Sequence, residues 1–384
     1  MLRKATTSSP SITRGRRRSV LACTLAAALA AGCGGSDLVD NTLPETLAIS
    51  YEGRLERGLS ILLRAAEADG TTLPPGTVTW LVAPSKAGTW RGDTLELKEA
   101  GKIKVTARYD GGAGILELDV AKPPEILFDM TVSGNRDIYR AALDGRDLVR
   151  LTTHAAKDYD PTVGGGVIVF VSERNGNPEL YARPLAGGAE TRLTNTADSE
   201  QYPALSPDGR RLAFVLGFGL TRLYVANGDA SNATRPYPTH GHDGTLEVAP
   251  AWSPDGRTLA FVSTASGLPG LYTWDGDKAV LLEVSGAGDF EPAWSPDGQR
   301  IAFASNRTGD VELYLLDLET NEIRRLTERV GSDGFPAWLP DGRIVYVAYD
   351  GTVPELRWLD PENPGVTYPI PLPGQPGNPV ALPR

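Results

Sequence analysis

Short runs in which apolar and polar residues alternate make up most of the chain after residue 42. In the first third, residues 76–82, 101–111 and 114–120 show this alternation, and a period of two is typical of half-buried β-strands. The chain holds 43 glycines and 30 prolines but two methionines, which agrees with many short strands joined by turns. The pattern therefore predicts an all-β protein.

A longer period begins near residue 125, where one phrase recurs. Its copies are PALSPDGRRLAF from Pro203, PAWSPDGRTLAF from Pro250, PAWSPDGQRIAF from Pro292, PAWLPDGRIVYV from Pro336 and a degenerate PTVGGGVIVF from Pro161. Successive Asp-Gly pairs of the tight copies lie 47, 42 and 44 residues apart. Five units contain a Leu-Tyr or Ile-Tyr pair, and several end in Arg-Leu-Thr. Four short strands per unit at this period predict the blades of a β-propeller with WD-like repeats.

The repeated phrase has a structural interpretation. Asp-Gly between two apolar runs predicts a two-residue hairpin turn, because glycine accepts the positive φ that such a turn needs. The tryptophans of the phrase, Trp252, Trp294 and Trp338, are expected to pack between adjacent blades, since an aromatic stripe repeated once per unit is more often core than binding platform. The phrase is therefore predicted to be mainly architectural.

The inner strands give the number of blades. Five candidates begin at Pro161, Pro203, Pro250, Pro292 and Pro336, and PVALP from Pro379 makes a sixth. The first unit has no such strand ahead of it. We therefore expect residues 379–382 to supply the inner strand of the first blade, which closes a six-bladed ring without an open sheet edge.

The N-terminal 33 residues have the organisation of an export signal. A basic stretch precedes an apolar run over residues 20–31, which is too short to span a bilayer as a permanent helix. LAAGC, residues 29–33, resembles the lipobox of bacterial lipoproteins, whose cysteine is lipidated and becomes the mature N-terminus. The resemblance implies a lipoprotein signal peptide over residues 1–33, lipidation at Cys33 and a tether over residues 34–42. An ordinary secretory signal is the alternative.

Residues 43–122 are predicted to form a separate β-sandwich, because about 80 residues of short strands with a tryptophan inside one of them are typical of that fold. The strand around Trp80, AGKIKVTARYDGG and the final LELDV resemble the bacterial immunoglobulin-like domains of the intimin/invasin type. The sequence Lys122-Pro123-Pro124 is expected to be a stiff joint.

The segment from residue 125 to 384 resembles the six-bladed propeller of the TolB family, and residues 305–327, SNRTGDVELYLLDLETNEIRRLT, fit that repeat. TolB is a soluble periplasmic protein with an α/β domain before its propeller, whereas this chain has a lipobox and an immunoglobulin-like segment. The resemblance is therefore to the propeller and not to TolB itself. The expected fold is an immunoglobulin-like β-sandwich followed by a six-bladed β-propeller.

The charge and the cysteine content restrict the kinds of partner that we expect for this protein. The net charge is −10, and the part from Cys33 onward has 32 basic against 48 acidic residues, or −16. No basic stripe is present, so nucleic acid is not an expected partner. Cleavage at Cys33 would remove Cys23 and leave no disulfide. We expect envelope or periplasmic proteins as partners and a membrane contact through the lipid anchor. By the sorting rule of the lipoproteins that the lipobox resembles, Gly34 rather than Asp after the cysteine implies the outer membrane if the cell has one, facing the periplasm or the cell surface.

Acidic residues recur three positions before the inner-strand prolines. They are Asp158, Glu200, Glu247, Asp289 and Asp333, and the sixth position is Pro376. We expect them to ring one mouth of the central channel, where a metal ion, a basic side chain of a partner or a polyamine could bind. The alternative is that each accepts hydrogen bonds from a neighbouring loop. Carboxylates ~10 Å apart repel by about 0.4 kcal/mol in water, so the ring does not require a cation.

The three histidines are the remaining candidates for metal ligands or catalytic residues. His240 and His242 stand two positions apart beside Asp243, so they could chelate a metal from a loop or belong to a solvated loop. His154 has no nucleophile to pair with, and the sequence has no G-x-S-x-G motif. We therefore predict a non-catalytic, lipid-anchored binding scaffold with no cofactor, leaving open a divalent cation in the channel. The alternative is a metal-dependent, lyase-like propeller enzyme acting on extracellular polysaccharide.

Overall fold

The chain divides into two compact units, Met1–Lys122 and Pro123–Arg384. The computed structural model describes residues 47–217, 219–236, 245–282 and 287–383. Within these ranges the regular elements are β-strands, apart from one 3-10 turn at Ser85–Ala87, so the predicted all-β class is confirmed. Within the same ranges, no helix has the length and hydropathy of a membrane span.

The first unit consists of two antiparallel sheets around one core. Its strands are β1 (Leu47–Glu52), β2 (Ser60–Glu67), β3 (Thr79–Ala83), β4 (Gly88–Arg91), β5 (Thr94–Leu97), β6 (Gly101–Tyr109) and β7 (Gly112–Val120). The sheet orders are β1-β2-β5-β4 and β3-β6-β7, and Ile61, Leu95 and Val105 from both sheets are fully buried together. Trp80 of β3 belongs to this core. A relation to the intimin/invasin type stays a prediction.

The described residues of the second unit form six antiparallel sheets, named here blades 1 to 6. Blade 1 contains β8 (Glu125–Val132), β9 (Asn135–Ala142), β10 (Val149–Arg150) and the last strand, β30 (Gln375–Ala381). Blade 2 contains β11 (Asp158–Gly164), β12 (Val167–Ser172), β13 (Glu179–Pro184) and β14 (Thr191–Arg192). Blade 3 contains β15 (Glu200–Leu205), β16 (Arg211–Leu216) and β17 (Arg222–Asn227).

The other three blades follow in chain order. Blade 4 contains β18 (Glu247–Trp252), β19 (Leu259–Ser263), β20 (Gly270–Trp274) and β21 (Ala279–Leu281). Blade 5 contains β22 (Asp289–Trp294), β23 (Arg300–Thr308), β24 (Asp310–Asp317) and β25 (Ile323–Arg325). Blade 6 contains β26 (Ser332–Trp338), β27 (Ile344–Asp350), β28 (Val353–Asp360) and β29 (Asn363–Pro369).

The inner strands of the blades close a ring. Strand β11 contacts β15, β15 contacts β18, β18 contacts β22, β22 contacts β26, β26 contacts β30 and β30 contacts β11. The last strand pairs with β8, with Val380 opposite Leu127. The predicted closure of the first blade by the C-terminal strand is therefore confirmed. The strand is longer than predicted, since it begins at Gln375.

The Ser-Pro-Asp-Gly turns differ from the two-residue hairpin predicted for them. In blade 3, Ser206 N donates to Arg211 O at 2.8 Å and Gly209 N donates to Ser206 O at 2.8 Å, so the loop contains four residues. Asp208 Oδ1 accepts from Ser206 Oγ at 2.7 Å and from Arg210 N at 3.0 Å. The aspartate thus stabilises a longer turn by local hydrogen bonds, and Gly209 has the predicted positive φ, 73°.

The repeated tryptophans join neighbouring blades, as predicted. Trp252 Nε1 donates to Ala204 O at 3.0 Å, Trp294 Nε1 to Ala251 O at 3.1 Å and Trp338 Nε1 to Ala293 O at 3.1 Å. Each acceptor lies on the inner strand of the preceding blade. The indole therefore fills space between two sheets and also satisfies its one donor there.

The Arg-Leu-Thr triplets lie at the outer edges of blades 1, 2 and 5. Their arginines reach back to an acid at or near the start of the adjacent strand. The pairs are Arg150–Asp137 at 2.6 Å, Arg192–Glu179 at 2.7 Å and Arg325–Glu312 at 2.6 Å. Each acid is at most 1% exposed, so the outer strand is held by a charge-assisted hydrogen bond.

Candidate functional site

Each inner strand is interrupted by a β-bulge at the same place. The register of pairing shifts there in all six blades, which leaves two residues out of the ladder. The second of the two is always proline, which cannot donate to the ladder and is tolerated at bulges. The first is a non-glycine residue with positive φ: Asp160 (49°), Tyr202 (50°), Ala249 (52°), Glu291 (53°), Phe335 (51°) and Asn378 (26°).

These six residues line a cavity at the centre of the ring, named here the channel cavity. Its volume is about 140 Å³, and its wall is completed by the six following prolines and Val380. A positive φ is costly for a residue with a Cβ, by about 1–3 kcal/mol. The sixfold repetition shows that the fold holds this strained conformation in every blade. In every blade, the residue before the inner-strand proline therefore faces the cavity, beside the proline itself.

Two of the six carry carboxyl groups. Burial, together with the charge of Asp129, raises the pKa of Asp160 to about 7, although Arg136 and a hydrogen bond from Asn378 act in the opposite direction. Burial also raises the pKa of Glu291 to about 7, with a further contribution from the charge of Asp160. Both carboxyls are therefore only partly ionised at neutral pH and would gain charge in the presence of a bound cation.

The acid Asp160 is positioned from blade 1. Its backbone N donates to Asp129 Oδ1 at 3.3 Å, and Asn378 Nδ2 donates to its Oδ1. Arg136 bridges the two acids, at 2.6 Å from Asp129 Oδ2 and 3.9 Å from Asp160 Oδ1. Gly377 allows this packing, because a Cβ there would lie 2.9 Å from Asp129 Oδ2.

The other acid, Glu291, is positioned from blade 6, because its Oε2 accepts the backbone N–H of Phe335 at 2.6 Å. Tyr202 and Phe335 place aromatic side chains beside the two acids, and burial, with the charges of Asp160 and Glu291, raises the pKa of Tyr202. The channel cavity thus combines two titratable carboxyls, an amide and apolar rings. Such a lining fits a compact cationic group with an aliphatic stem.

The five acids singled out from the sequence lie at or near the start of the inner strands. Asp158, Glu200, Glu247, Asp289 and Asp333 are each at most 3% exposed, and none is among the residues that line the channel cavity. Four of the five begin their strands, two residues before the channel-facing position. Their hydrogen bonds go to their own blade, to the preceding blade or to the adjoining loops.

The hydrogen-bond partners of the five acids differ between blades. Arg174 NH2 donates to both oxygens of Asp158 at 3.1 Å, and Arg307 NH2 donates to Asp289 at 2.8 Å. Glu247 accepts from Leu223 N at 2.8 Å. These contacts resemble the alternative given above, in which each acid accepts hydrogen bonds from neighbouring parts of the chain. A cationic ligand at the five acids stays a prediction.

The histidine and cysteine candidates are placed only in part. His154 is exposed, and its Nδ1 accepts from Ala156 N at 3.0 Å. Cys33, His240, His242 and Asp243 lie outside the described residues. Within the described ranges, no group of three His, Cys, Asp or Glu side chains could hold a metal ion. The proposed divalent cation is untested.

The channel-facing residues were missed because the sequence gives only one local signal for them. A proline inside an otherwise regular strand pattern indicates a bulge, and the residue before it is displaced from the ladder. The pairs concerned are Asp160-Pro161, Tyr202-Pro203, Ala249-Pro250, Glu291-Pro292, Phe335-Pro336 and Asn378-Pro379. The residue types vary, so no repeated letter marks the position.

Comparisons with known proteins agree with the propeller. Residues 284–354 match the family described as TolB beta propeller domain. A protein TolB homolog from Chlorobium luteolum is 37% identical over 119 residues, which are 30% of this chain and 24% of that protein. The Tol-Pal system protein TolB of Francisella tularensis is 36% identical over 66 residues, 16% of this chain and 15% of that protein. The matched segments thus span a quarter or less of these relatives.

A solved structure extends the likeness over a larger part of the chain. The crystal structure of TolB from Acinetobacter baumannii superposes with a TM-score of 0.61 at 18% identity, covering 75% of this chain and 81% of that one. At this identity the likeness shows the fold alone. The second unit is accordingly a TolB-like β-propeller.

Proposed function

We propose that the protein is a non-catalytic, lipid-anchored envelope protein whose propeller binds a partner protein through the channel cavity. The observation that carries this proposal is the pair of carboxyls, Asp160 and Glu291, held by the neighbouring blades in an apolar setting at the centre of the ring. A lysine or arginine side chain of a partner supplies the complementary charge, and its stem suits the aromatic part of the wall.

Three observations support the proposed location and the kind of partner. The LAAGC motif at residues 29–33 supports lipidation at Cys33, and the absence of a basic stripe supports a protein rather than a nucleic-acid partner. One relative is named a Tol-Pal system protein, which supports a role in assembly at the envelope. The proposed location is the bacterial cell envelope, with the anchor in the outer membrane.

The binding proposal is tested by cross-linking in native envelopes. The full chain would be compared with the variant Asp160→Asn/Glu291→Gln, which removes both cavity charges at nearly constant volume. We expect the wild type to capture a reproducible set of proteins by mass spectrometry and the variant to lose at least one of them.

A matched control is Glu319→Gln/Glu322→Gln, because these two acids are exposed and lie outside the channel cavity. This variant removes the same number of carboxyl groups, from the surface, and should retain every partner. If the cavity variant also retains all partners, the channel cavity is not the binding site.

The anchor is tested separately. Cys33→Ser should move the protein from the membrane fraction to the soluble fraction and abolish labelling by a palmitate analogue. A variant that stays with the membrane would contradict lipid anchoring without affecting the cavity proposal.

A further inference from the structure

Two glutamates meet at the junction between blades 2 and 3. Glu179 begins β13 of blade 2, and Glu200 begins β15 of blade 3. The two strand starts are joined by a hydrogen bond from Glu200 N to Pro178 O at 3.1 Å. Both side chains are 0% exposed. Water is therefore excluded from this carboxyl pair.

The hydrogen bonds with measured distances reach one oxygen of each carboxyl, and the Thr194 hydroxyl also interacts with Glu179. Glu179 Oε1 accepts from Arg192 NH2 at 2.7 Å and from Thr196 N at 3.0 Å. Glu200 Oε1 accepts from Thr196 Oγ1 at 2.7 Å. Among the described residues, the Oε2 atoms of both glutamates are buried without a hydrogen-bond partner. A buried carboxylate oxygen with no donor is strongly unfavourable.

In blades 2 and 5, an arginine binds the acid at the strand position that corresponds to Glu200. Asp158 pairs with Ser172 across the hairpin, and Arg174, two residues further on, binds its carboxylate. Asp289 pairs with Ser305, and Arg307 NH2 donates to its Oδ1 at 2.8 Å, whereas its Oδ2 is buried without a hydrogen-bond partner among the described residues. Glu200 pairs with Leu216, and the residue two positions on in the sequence is Phe218. Blade 3 therefore lacks the arginine that neutralises this position in blades 2 and 5.

We propose that the junction of blades 2 and 3 holds a shared proton, with Glu200 protonated and its O–H directed to Glu179 Oε2. This arrangement satisfies both orphan oxygens with one hydrogen. It also avoids two adjacent buried charges, which is the reason that paired carboxyls in proteins share a proton. The charged side chain that contacts the pair is Arg192 of β14, and it binds Glu179.

The electrostatics of the two groups assign the proton to Glu200. Burial raises the pKa of Glu200 to about 7, and the charge of Glu179 contributes in the same direction. Burial also acts to raise the pKa of Glu179, but hydrogen bonds from Thr194, Arg192 and Thr196 outweigh it, so that this pKa is lowered.

The junction is consequently sensitive to pH near neutrality. Because the folded state binds the proton more tightly than the unfolded chain, the stabilisation is fully present below the ordinary glutamate pKa and is lost as pH rises through about 7. Above that pH, two negative charges face each other between blades 2 and 3. This contact between the two blades then weakens.

The first test counts protons released on unfolding at pH 6, with a pH indicator in weakly buffered denaturant. Glu200→Gln mimics the protonated form, and we expect it to release about one proton fewer than the wild type. The matched control is Asp158→Asn, at the same strand position one blade earlier, where the acid is paired with Arg174. It should release about the same number as the wild type. Equal release by wild type and Glu200→Gln would overturn the shared proton.

The second test uses the wild type alone, in case the variant does not fold. Hydrogen exchange of the Glu200 amide, which donates to Pro178 O, would be followed from pH 6 to pH 8 and corrected for intrinsic base catalysis. We expect its protection to fall about tenfold. The Asp289 amide makes the equivalent bond to Pro269 O at 3.0 Å, beside an arginine-paired acid, and should keep its protection. Parallel behaviour of the two amides would contradict the proposal.

Discussion

Asn378 in the closing strand donates a hydrogen bond to the carboxylate of Asp160 in blade 2. The strand that closes the ring therefore also supplies a partner for an acid of the channel cavity. Burial raises the pKa of Asp160, and the bond from Asn378 partly offsets this effect. Ring closure and cavity charge are thus coupled through one side chain. Asn378 also has a positive φ of 26°, a conformation that asparagine tolerates better than most residues.

Replacing Asn378 with alanine should destabilise the propeller by about 2 kcal/mol, because it removes a partly buried hydrogen bond to a carboxyl group and a residue suited to positive φ. Denaturant unfolding followed by intrinsic fluorescence measures this change. Asn321→Ala is the matched control, since Asn321 has a φ of 56° and is exposed. It should cost about 1 kcal/mol, and equal losses would show that the Asp160 bond adds no stability.

Removing the cation beside Asp129 should be more costly. Asp129 is 1% exposed and its Oδ2 lies 2.6 Å from Arg136 Nε, so Arg136→Met leaves a buried carboxylate without its cation. We expect a loss of about 3 kcal/mol in the free energy of unfolding, which is at the low end of the usual range for removing one partner of a buried ion pair. The low end is expected because the Arg136 side chain is 32% exposed.

The double variant Arg136→Met/Asp129→Asn should recover part of that loss, because the buried charge is removed together with its partner. A thermodynamic cycle over the four proteins measures the coupling. Additive losses in the double variant would mean that the two side chains do not interact.

Local features of the propeller could be predicted from the sequence because each depends on neighbours in the chain. The glycine of the Asp-Gly pair must adopt positive φ, and Gly209 does so at 73°. The tryptophan before each turn must bury its ring, and Trp252 does so against blade 3. The closing strand could be predicted by counting the candidate inner strands, since the first unit lacked one. The predicted turn length was wrong, because Asp208 accepts a hydrogen bond from Ser206 within its own loop and stabilises a longer turn.

The residues that face the cavity could not be predicted, because a bulge changes the side-chain alternation within a strand. Asp158 and Asp160 are two positions apart and would share a face in a regular strand. The register shift after Tyr159 separates them, so that Asp158 binds Arg174 while Asp160 lines the cavity. The partner arginine lies 16 residues away, and nothing in a one-letter pattern identifies it.

The role of the inter-blade tryptophans can be measured with two residues of equal burial. Trp252 and Trp274 are each 8% exposed, but Trp252 Nε1 donates to Ala204 O whereas Trp274 Nε1 is buried without an acceptor in the described part of the chain. Trp252→Phe should therefore destabilise the propeller by about 1–2 kcal/mol more than Trp274→Phe. Chemical denaturation measures both, and equal losses would indicate that packing alone sets the cost.

The charge state of the channel cavity should control its affinity for cations. The pKa values of Asp160 and Glu291 are each raised to about 7, so both acids are mostly protonated at pH 6 and mostly ionised at pH 8. Binding of spermidine, a linear polyamine, should therefore strengthen by about tenfold between these values. Titration calorimetry at constant ionic strength measures the change.

Two variants distinguish cavity binding from general attraction to an acidic protein. Asp160→Asn/Glu291→Gln should bind spermidine weakly at both pH values, whereas Glu319→Gln/Glu322→Gln should keep the pH dependence of the wild type, because its charges are lost from an exposed turn. Raising the salt concentration should weaken surface binding of the polyamine more than binding between buried groups. If the cavity variant retains the tenfold change, the titrating groups lie elsewhere, and Asp160 and Glu291 do not form the cation site.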